Sequence, residues 1–199
     1  MGRPREHDQR VVREGVMRCF WERGFSAASV TALEEATGVN RRQLFRDYGN
    51  KHALFLQALD DFTVFAGDLY LVPMEHADSG LADIQSTLRA LAALPSLPSG
   101  CLGCLVCNTS SEALVQSDSE VAGKVRAFFH RIETAYLRAL TQAAERGNLK
   151  AGQQQLRIAA RHLLAIHVSL LILAKSGLPQ PVLTDIAEQE IATLHDLGY

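Results

Sequence analysis

Proline is so unevenly placed in this chain that it nearly settles the fold class. Its six occurrences fall at Pro4, Pro73, Pro95, Pro98, Pro179 and Pro181, and the blocks 5–72 and 99–178 contain none. Proline removes an intrahelical hydrogen bond and clashes with the preceding turn, so proline-free blocks are where helices can run. Inside the first block, Gly24, Gly38 and Gly49 each follow a periodic apolar run, the position of a helix stop. Three short helices and a fourth are the natural parse. The first runs from about Asp8 to Arg23, with Val12, Val16 and Phe20 on one face. The second has Ser29 as N-cap, ends at Thr37 and buries Val30, Leu33 and Ala36. The third starts at Asn40, with Gln43 completing a capping box and Val39 and Leu44 forming a hydrophobic staple. The fourth opens at Asn50 and carries Leu54, Phe55, Ala58, Leu59 and Phe62 on an apolar stripe.

Beyond Pro73 the periodicity stays helical. Leu81–Leu94 is amphipathic, and Gly103–Leu114 is compatible with a helix. Ser117 and Glu120 have capping-box spacing ahead of a long helix to Arg146, with Val121, Val125, Phe128, Ile132, Ala135 and Ala139 on its stripe. Gln153–Lys175 is apolar nearly all round, the mark of a helix buried on several sides, and Leu183–Leu197 closes the chain. No segment sustains the alternation of a strand. The expected fold is all-α with about nine helices: a helix-turn-helix domain over residues 1–52 and a helical body over 53–199.

The net charge of −2 conceals a split along that boundary. Residues 1–52 hold ten basic and seven acidic groups, a balance of +3, while the rest hold ten and fifteen, a balance of −5. A basic end on an acidic body suits an anionic partner at that end only. The N-terminus is charged with no apolar segment behind it, which argues against a signal peptide. The longest apolar stretch, Leu163 to Ala174, is twelve residues and includes His167 and Ser169. A bilayer helix needs about 20 apolar residues, so this reads as a core helix. No membrane partner is expected, and the location reads as cytoplasmic with reduced thiols.

A helix ending at Gly38, a short turn and a capped helix from Asn40 make a helix-turn-helix. The N-terminal part of its second helix presents Arg41, Arg42 and Gln43, then Arg46 one turn later. Arginine binds guanine O6 and N7 bidentately and glutamine binds adenine, so these side chains suit a major groove. Lys51 and His52 sit in the first turn of the next helix, where free N–H groups favour a phosphate oxygen. Arg3 and Arg5 lie on a lead that could reach an adjacent minor groove. The bland alternative is a solvated helix that displays arginines.

Residues 15–55 resemble the DNA-binding domain of tetracycline-repressor-type (TetR) transcriptional regulators. The resemblance is carried by FWERGF, the ATGV turn, LFRDYGNKHALF and the leading GRPRE, and more loosely by GCLVCNTSSE in the body. It implies a helical ligand-binding and dimerisation domain, a homodimer through the last two long helices, and a palindromic operator on double-stranded DNA. A small-molecule effector would bind between the helices and release that operator. By position it places Arg41, Arg42, Gln43 and Phe45 at the DNA and makes Lys51 a phosphate-binding lysine. The family usually has tyrosine where this chain has Phe45, and a core phenylalanine where it has Tyr48. Phe45 lacks the hydroxyl for one backbone contact, and Tyr48 is the candidate substitute.

Cys101, Cys104 and Cys107 form C-x-x-C-x-x-C. On one helix these thiols would lie along a drifting face, able to sense oxidants or electrophiles, to hold a soft metal, or simply to pack. Position 111, where a ferredoxin-type run has its fourth cysteine, is serine. A thiol-based or metal sensor is therefore the rival to a small-molecule-responsive repressor. His162 and His167 diverge on their helix, and His130 with Glu133 has the spacing of a surface pair. Phe128, Phe129 and Tyr136 read as core. No catalytic motif, metal site or cofactor is indicated, so no enzyme is expected.

Overall fold

The computed structural model describes residues 8–97 and 100–196, the last two of these by backbone alone. The described residues contain no strand. The helices are α1 (Gln9–Ala27), α2 (Val30–Thr37), α3 (Arg41–Tyr48), α4 (Lys51–Tyr70), α5 (Val72–Glu75), α6 (Leu81–Ala92), α7 (Leu105–Ser110), α8 (Leu114–Ser117), α9 (Ser119–Glu145), α10 (Gln153–Lys175) and α11 (Gln180–Asp196). Eight of these match the long helices expected from periodicity, and α5, α7 and α8 are one to two turns each. Arg3 and Arg5 lie outside the described residues.

The N-terminal helices begin where side chains can satisfy free amides. Ser29 Oγ accepts the Ala32 N–H, Asn40 Oδ1 that of Gln43, and Asn50 Oδ1 that of Ala53, at 2.8–3.1 Å. Gly38, at φ 67°, ends α2 in the left-handed region that a side chain would oppose. Gly24, at φ 73° and ψ 172°, breaks α1 one turn before its end, so the regular helix stops at Arg23 as its sequence implies. The face of α2 differs from expectation: Ala32, Leu33 and Thr37 are buried, while Ala36 is exposed and Val30 half-buried. Gly15 explains how close α1 and α2 come, since a Cβ there would lie 2.5 Å from the Ala36 carbonyl oxygen.

Helix α4 joins the two parts of the molecule. Its first half packs on α1 through Phe55 and Phe20, whose rings meet edge-on at 5.0 Å, and its far end packs on α9. In the body, α9 and α10 form the main pair, with α6 and α11 beside them. The core there includes Met74, Ile84, Leu88, Leu91 and Tyr136, all fully buried.

Four local expectations change. Residues 103–114 are not one helix: Gly103 turns the chain at φ 67°, α7 spans only six residues, and Cys104 is its N-cap. The Ser117–Glu120 box does not form. Asp118 caps α9 instead, its Oδ1 accepting the Glu120 and Val121 N–H groups at 3.0 Å, because a carboxylate at a helix start outcompetes a hydroxyl. Glu133 pairs with Arg161 at 3.0 Å rather than with His130. Finally, α10 is not buried all round. By length and composition it could cross a membrane, yet it lies against α9 with Arg157 and Arg161 exposed. Its outer face leaves Ile158, His162, Ala165, Ser169 and Ile172 in solvent at a spacing of three or four residues.

Candidate nucleic-acid interface

Helix α3 is anchored by one residue and free on the rest of its surface. Leu44 is fully buried, whereas Arg41, Arg42 and Arg46 are exposed and Gln43, Phe45 and Tyr48 are half-buried. Arg41 is held at its start, since its N–H donates to Glu34 Oε1 at 2.6 Å and its guanidinium lies 5.4 Å from the Phe45 ring centre. Phe45 thus supports an arginine where a tyrosine would offer a hydroxyl. Arg46 is bidentate on its neighbour Asp47, with Nε–Oδ1 2.8 Å and Nη2–Oδ2 3.3 Å. Tyr48 sits beside Arg13, and its burial raises its pKa.

Lys51 stands at the start of α4 with its ammonium 4.7 Å from the Phe25 ring centre. His52, one residue on, is drawn away from a phosphate role: its Nε2 bonds Asp118 Oδ2 at 2.6 Å. His52, Asp118 and Glu120 have ligand atoms within 4.8 Å of one another, but Asp118 is already spent on two amides of α9. The group caps α9 and ties it to the start of α4.

Two more bonds cross the same junction. Trp21 Nε1–H donates to the Gly103 carbonyl at 3.1 Å, and the Phe25 N–H donates to Glu112 Oε1 at 3.2 Å. All three reach the stretch 103–118, which also packs α7 on α1 and α4. Trp21, Glu112 and His52 carry no signal in local spacing, because each contact spans more than 60 positions of chain.

Against that stretch lies a cavity of about 70 Å³ in the body. Its wall includes Trp21, Phe62, Phe65, Tyr70, Phe128 and Leu171, together with Cys104 and His167. No Asp, Glu, Lys or Arg lines it among the described residues. His167 is fully buried and bonds Tyr136 Oη through Nδ1 at 3.0 Å; burial pushes its pKa down to about 3, so the imidazole is neutral. Phe128 is therefore a wall residue as well as core, while Tyr136 is core as expected.

The three cysteines do not share a helix face. Cys101 is exposed in a 3₁₀ turn, whereas Cys104 and Cys107 are buried and 3.5 Å separates the Cys107 N–H nitrogen from Cys104 Sγ. Burial pushes the Cys104 thiol up, but hydrogen bonds from the Cys107 thiol and the Cys107 and Val106 amides outweigh it and leave the pKa lowered. Cys107 moves the opposite way, first because it donates to Cys104 and then because it is buried.

A capped helix-turn-helix with an exposed arginine face, carried on a larger helical body, has the form of a DNA-binding regulator. Comparison with known proteins agrees. Residues 14–58 match the family described as bacterial regulatory proteins, tetR family. The chain is 24% identical over 194 residues to the uncharacterized HTH-type transcriptional regulator YezE of Bacillus subtilis, covering 98% of this chain and 100% of that one. It is 44% identical over 50 residues to the transcriptional repressor AcnR of Corynebacterium efficiens, a match confined to 25% of this chain and 27% of that repressor. Among solved structures, the TetR family regulator CifR, a cysteine mutant bound to 26-base-pair operator DNA, superposes with a TM-score of 0.83 at 25% identity, over 96% of this chain and 98% of that one. Residues 14–58 thus carry a TetR-type regulatory domain, on a chain that shares the fold of a TetR family transcriptional regulator.

Proposed function

We propose that the protein is a homodimeric cytoplasmic repressor that leaves a palindromic operator when a small molecule fills the cavity beside Trp21. The observation that carries the reading is that cavity: its wall is shared between the DNA-binding domain, through Trp21, and the body. A molecule inside it touches both domains at once, so it can favour one relative placement over another. Such differential contact is the thermodynamic requirement for a ligand-driven switch. The wall has no charged side chain, so the effector is neutral and largely apolar, with a polar atom directed at His167.

The outer stripe of α10 supports the dimer. Ile158 and Ile172 are 58% and 53% exposed with His162, Ala165 and Ser169 between them, a mixed row whose small residues let a second helix approach closely. Two copies would set their α3 helices in successive major grooves, about 34–36 Å apart. Arg41, Arg42 and Gln43 then read base edges, Lys51 meets a phosphate, Arg46 stays on Asp47 at the edge of the contact, and Phe45 and Tyr48 pack against the backbone. No cofactor is needed for any of this.

The test is selection of bound duplexes from a random-sequence library by the full chain, followed by footprinting. Enrichment of an inverted repeat protected over two major grooves supports the reading. Enrichment of nothing, or of an asymmetric single site bound by a monomer, sinks it. A second reading, thiol-based sensing, is favoured by one observation: Cys104 is both a wall residue and the lowered-pKa member of a sulfur pair. Oxidant-induced release that Cys104→Ser abolishes would establish it, and release unchanged in that variant would reject it.

A further inference from the structure

The Cys104–Cys107 pair has a chemistry of its own. We propose that it is a dithiol site for a neutral trivalent arsenical bearing an apolar group, with arsenic bonded to both sulfurs and the organic group in the cavity. For its regulatory consequence, though not for capture itself, this rests on the reading of the cavity as the effector site.

Three observations converge. Cys104 caps α7 with its Sγ 3.5 Å from the Cys107 amide nitrogen, so the two buried thiols emerge side by side at the first turn of one helix. Cys104 opens onto a cavity whose other walls are aromatic and aliphatic, which suits a phenyl-sized group and disfavours a bare ion. A divalent soft metal would want three or four ligands, and the third cysteine of the run, Cys101, lies on the exposed side of its turn. A trivalent arsenical R–As(OH)₂ needs only two sulfurs, carries no charge and brings its own apolar third substituent.

The division of labour between the sulfurs fits the chemistry. Cys104, having released its proton to solvent, attacks arsenic as the thiolate, and one As–O bond breaks. The departing hydroxide takes the Cys107 proton and leaves as water. Cys107, now a thiolate, attacks the same arsenic and breaks the second As–O bond. That hydroxide takes up one proton from solvent and also leaves as water. The sum is R–As(OH)₂ plus two thiols giving R–As(S)₂ plus two waters. Arsenic stays trivalent and no electron acceptor is needed.

The probe is phenylarsine oxide, added to the full chain and followed by intact-mass spectrometry and competition with 1,2-ethanedithiol. The expected result is one phenylarsenic unit per chain with two hydrogens lost, Cys104 and Cys107 both shielded from iodoacetamide when the treated chain, but not the untreated one, is labelled unfolded in urea, and full reversal by the competing dithiol. Cys104→Ser and Cys107→Ala each lose on the order of 10²-fold in affinity, because the second bond is no longer intramolecular. Cys101→Ser binds as the parent does. Inorganic arsenite, without the apolar group, binds at least about tenfold more weakly. Equal affinity in Cys107→Ala, shielding of Cys101 in place of the pair, or arsenite binding as tightly as the phenyl compound would each overturn the proposal. Should a variant fail to fold, the iodoacetamide map of the parent protein decides alone. Release of a library-selected duplex is scored separately. Capture without release supports the dithiol site and retires the cavity as the switch, whereas release without capture overturns the dithiol site.

Discussion

Salt dependence offers a direct test of which cations face DNA. On and just after α3, Arg41, Arg42 and Lys51 form no ion pair among the described residues, whereas Arg46 is clamped by Asp47. Two copies would therefore bring about six available cations to the duplex, and counterion release gives a log–log slope of about −5. Between about 50 and 200 mM salt this is a loss of about 10³-fold in affinity. Arg42→Ala removes one cation from each half-site. Its slope should be shallower by roughly 2 and its loss over the same range about 10²-fold. Asp47→Ala should do the reverse, since freeing Arg46 adds one cation per half-site and steepens the slope by roughly 2. The assay is equilibrium anisotropy of a labelled, library-selected duplex across a potassium chloride series. An unaltered slope in Arg42→Ala, or a shallower one in Asp47→Ala, would refute the assignment of charges.

Three further perturbations probe the scaffold. Gly15→Ala gains about 1 kcal/mol of helix propensity, but its Cβ meets a backbone carbonyl of α2, and overpacking costs about 1–3 kcal/mol; the urea midpoint should fall, and a rise would show that α2 can yield. Glu75 is held below the usual carboxylate range chiefly by its bond from Arg131. Its contribution is present above the ordinary carboxylate pKa and lost as pH drops through the lowered one, so Glu75→Gln should flatten the acid limb of a melting-temperature series. His167 is pushed down to about 3 by burial, so an unfolded chain binds a proton below its ordinary value of about 6.5 that the native state refuses. Stability therefore falls from that pH downward, and His167→Phe should lose it less steeply in urea titrations down to about pH 4.

What could be read from sequence was whatever local chemistry decides. Ser29, Asn40 and Asn50 cap their helices because the amides they satisfy lie three residues away, and Gly38 ends α2 because only its own φ matters. Even there, Asp118 displaced Ser117 as a cap, a contest between adjacent residues that motif spacing does not resolve. The stretch after Gly103 was harder still. Three cysteines at regular spacing look like a helix face, and only the turn at Gly103 separates Cys101 from the pair that shares hydrogen bonds. The cavity was not legible at all, because Trp21, Tyr70, Cys104 and His167 come from distant parts of the chain and meet only through packing. The arginine face of α3 is legible in its spacing, but the clamp of Asp47 on Arg46 depends on side-chain rotamers that spacing does not specify.

Trp21 is the chain's sole tryptophan. Its ring stands edge-on to Phe62 at 5.0 Å and Phe65 at 6.0 Å, and its N–H reaches the carbonyl just before Cys104. Tryptophan emission from the native protein thus comes from one indole at the seam between α1 and the stretch after Gly103. Parting of the seam exposes that indole to water and moves its emission to the red, and a heavy atom seated at the sulfurs darkens it. Motion at the junction and occupancy of the cavity become separate optical signals, with no dye, label or engineered residue required.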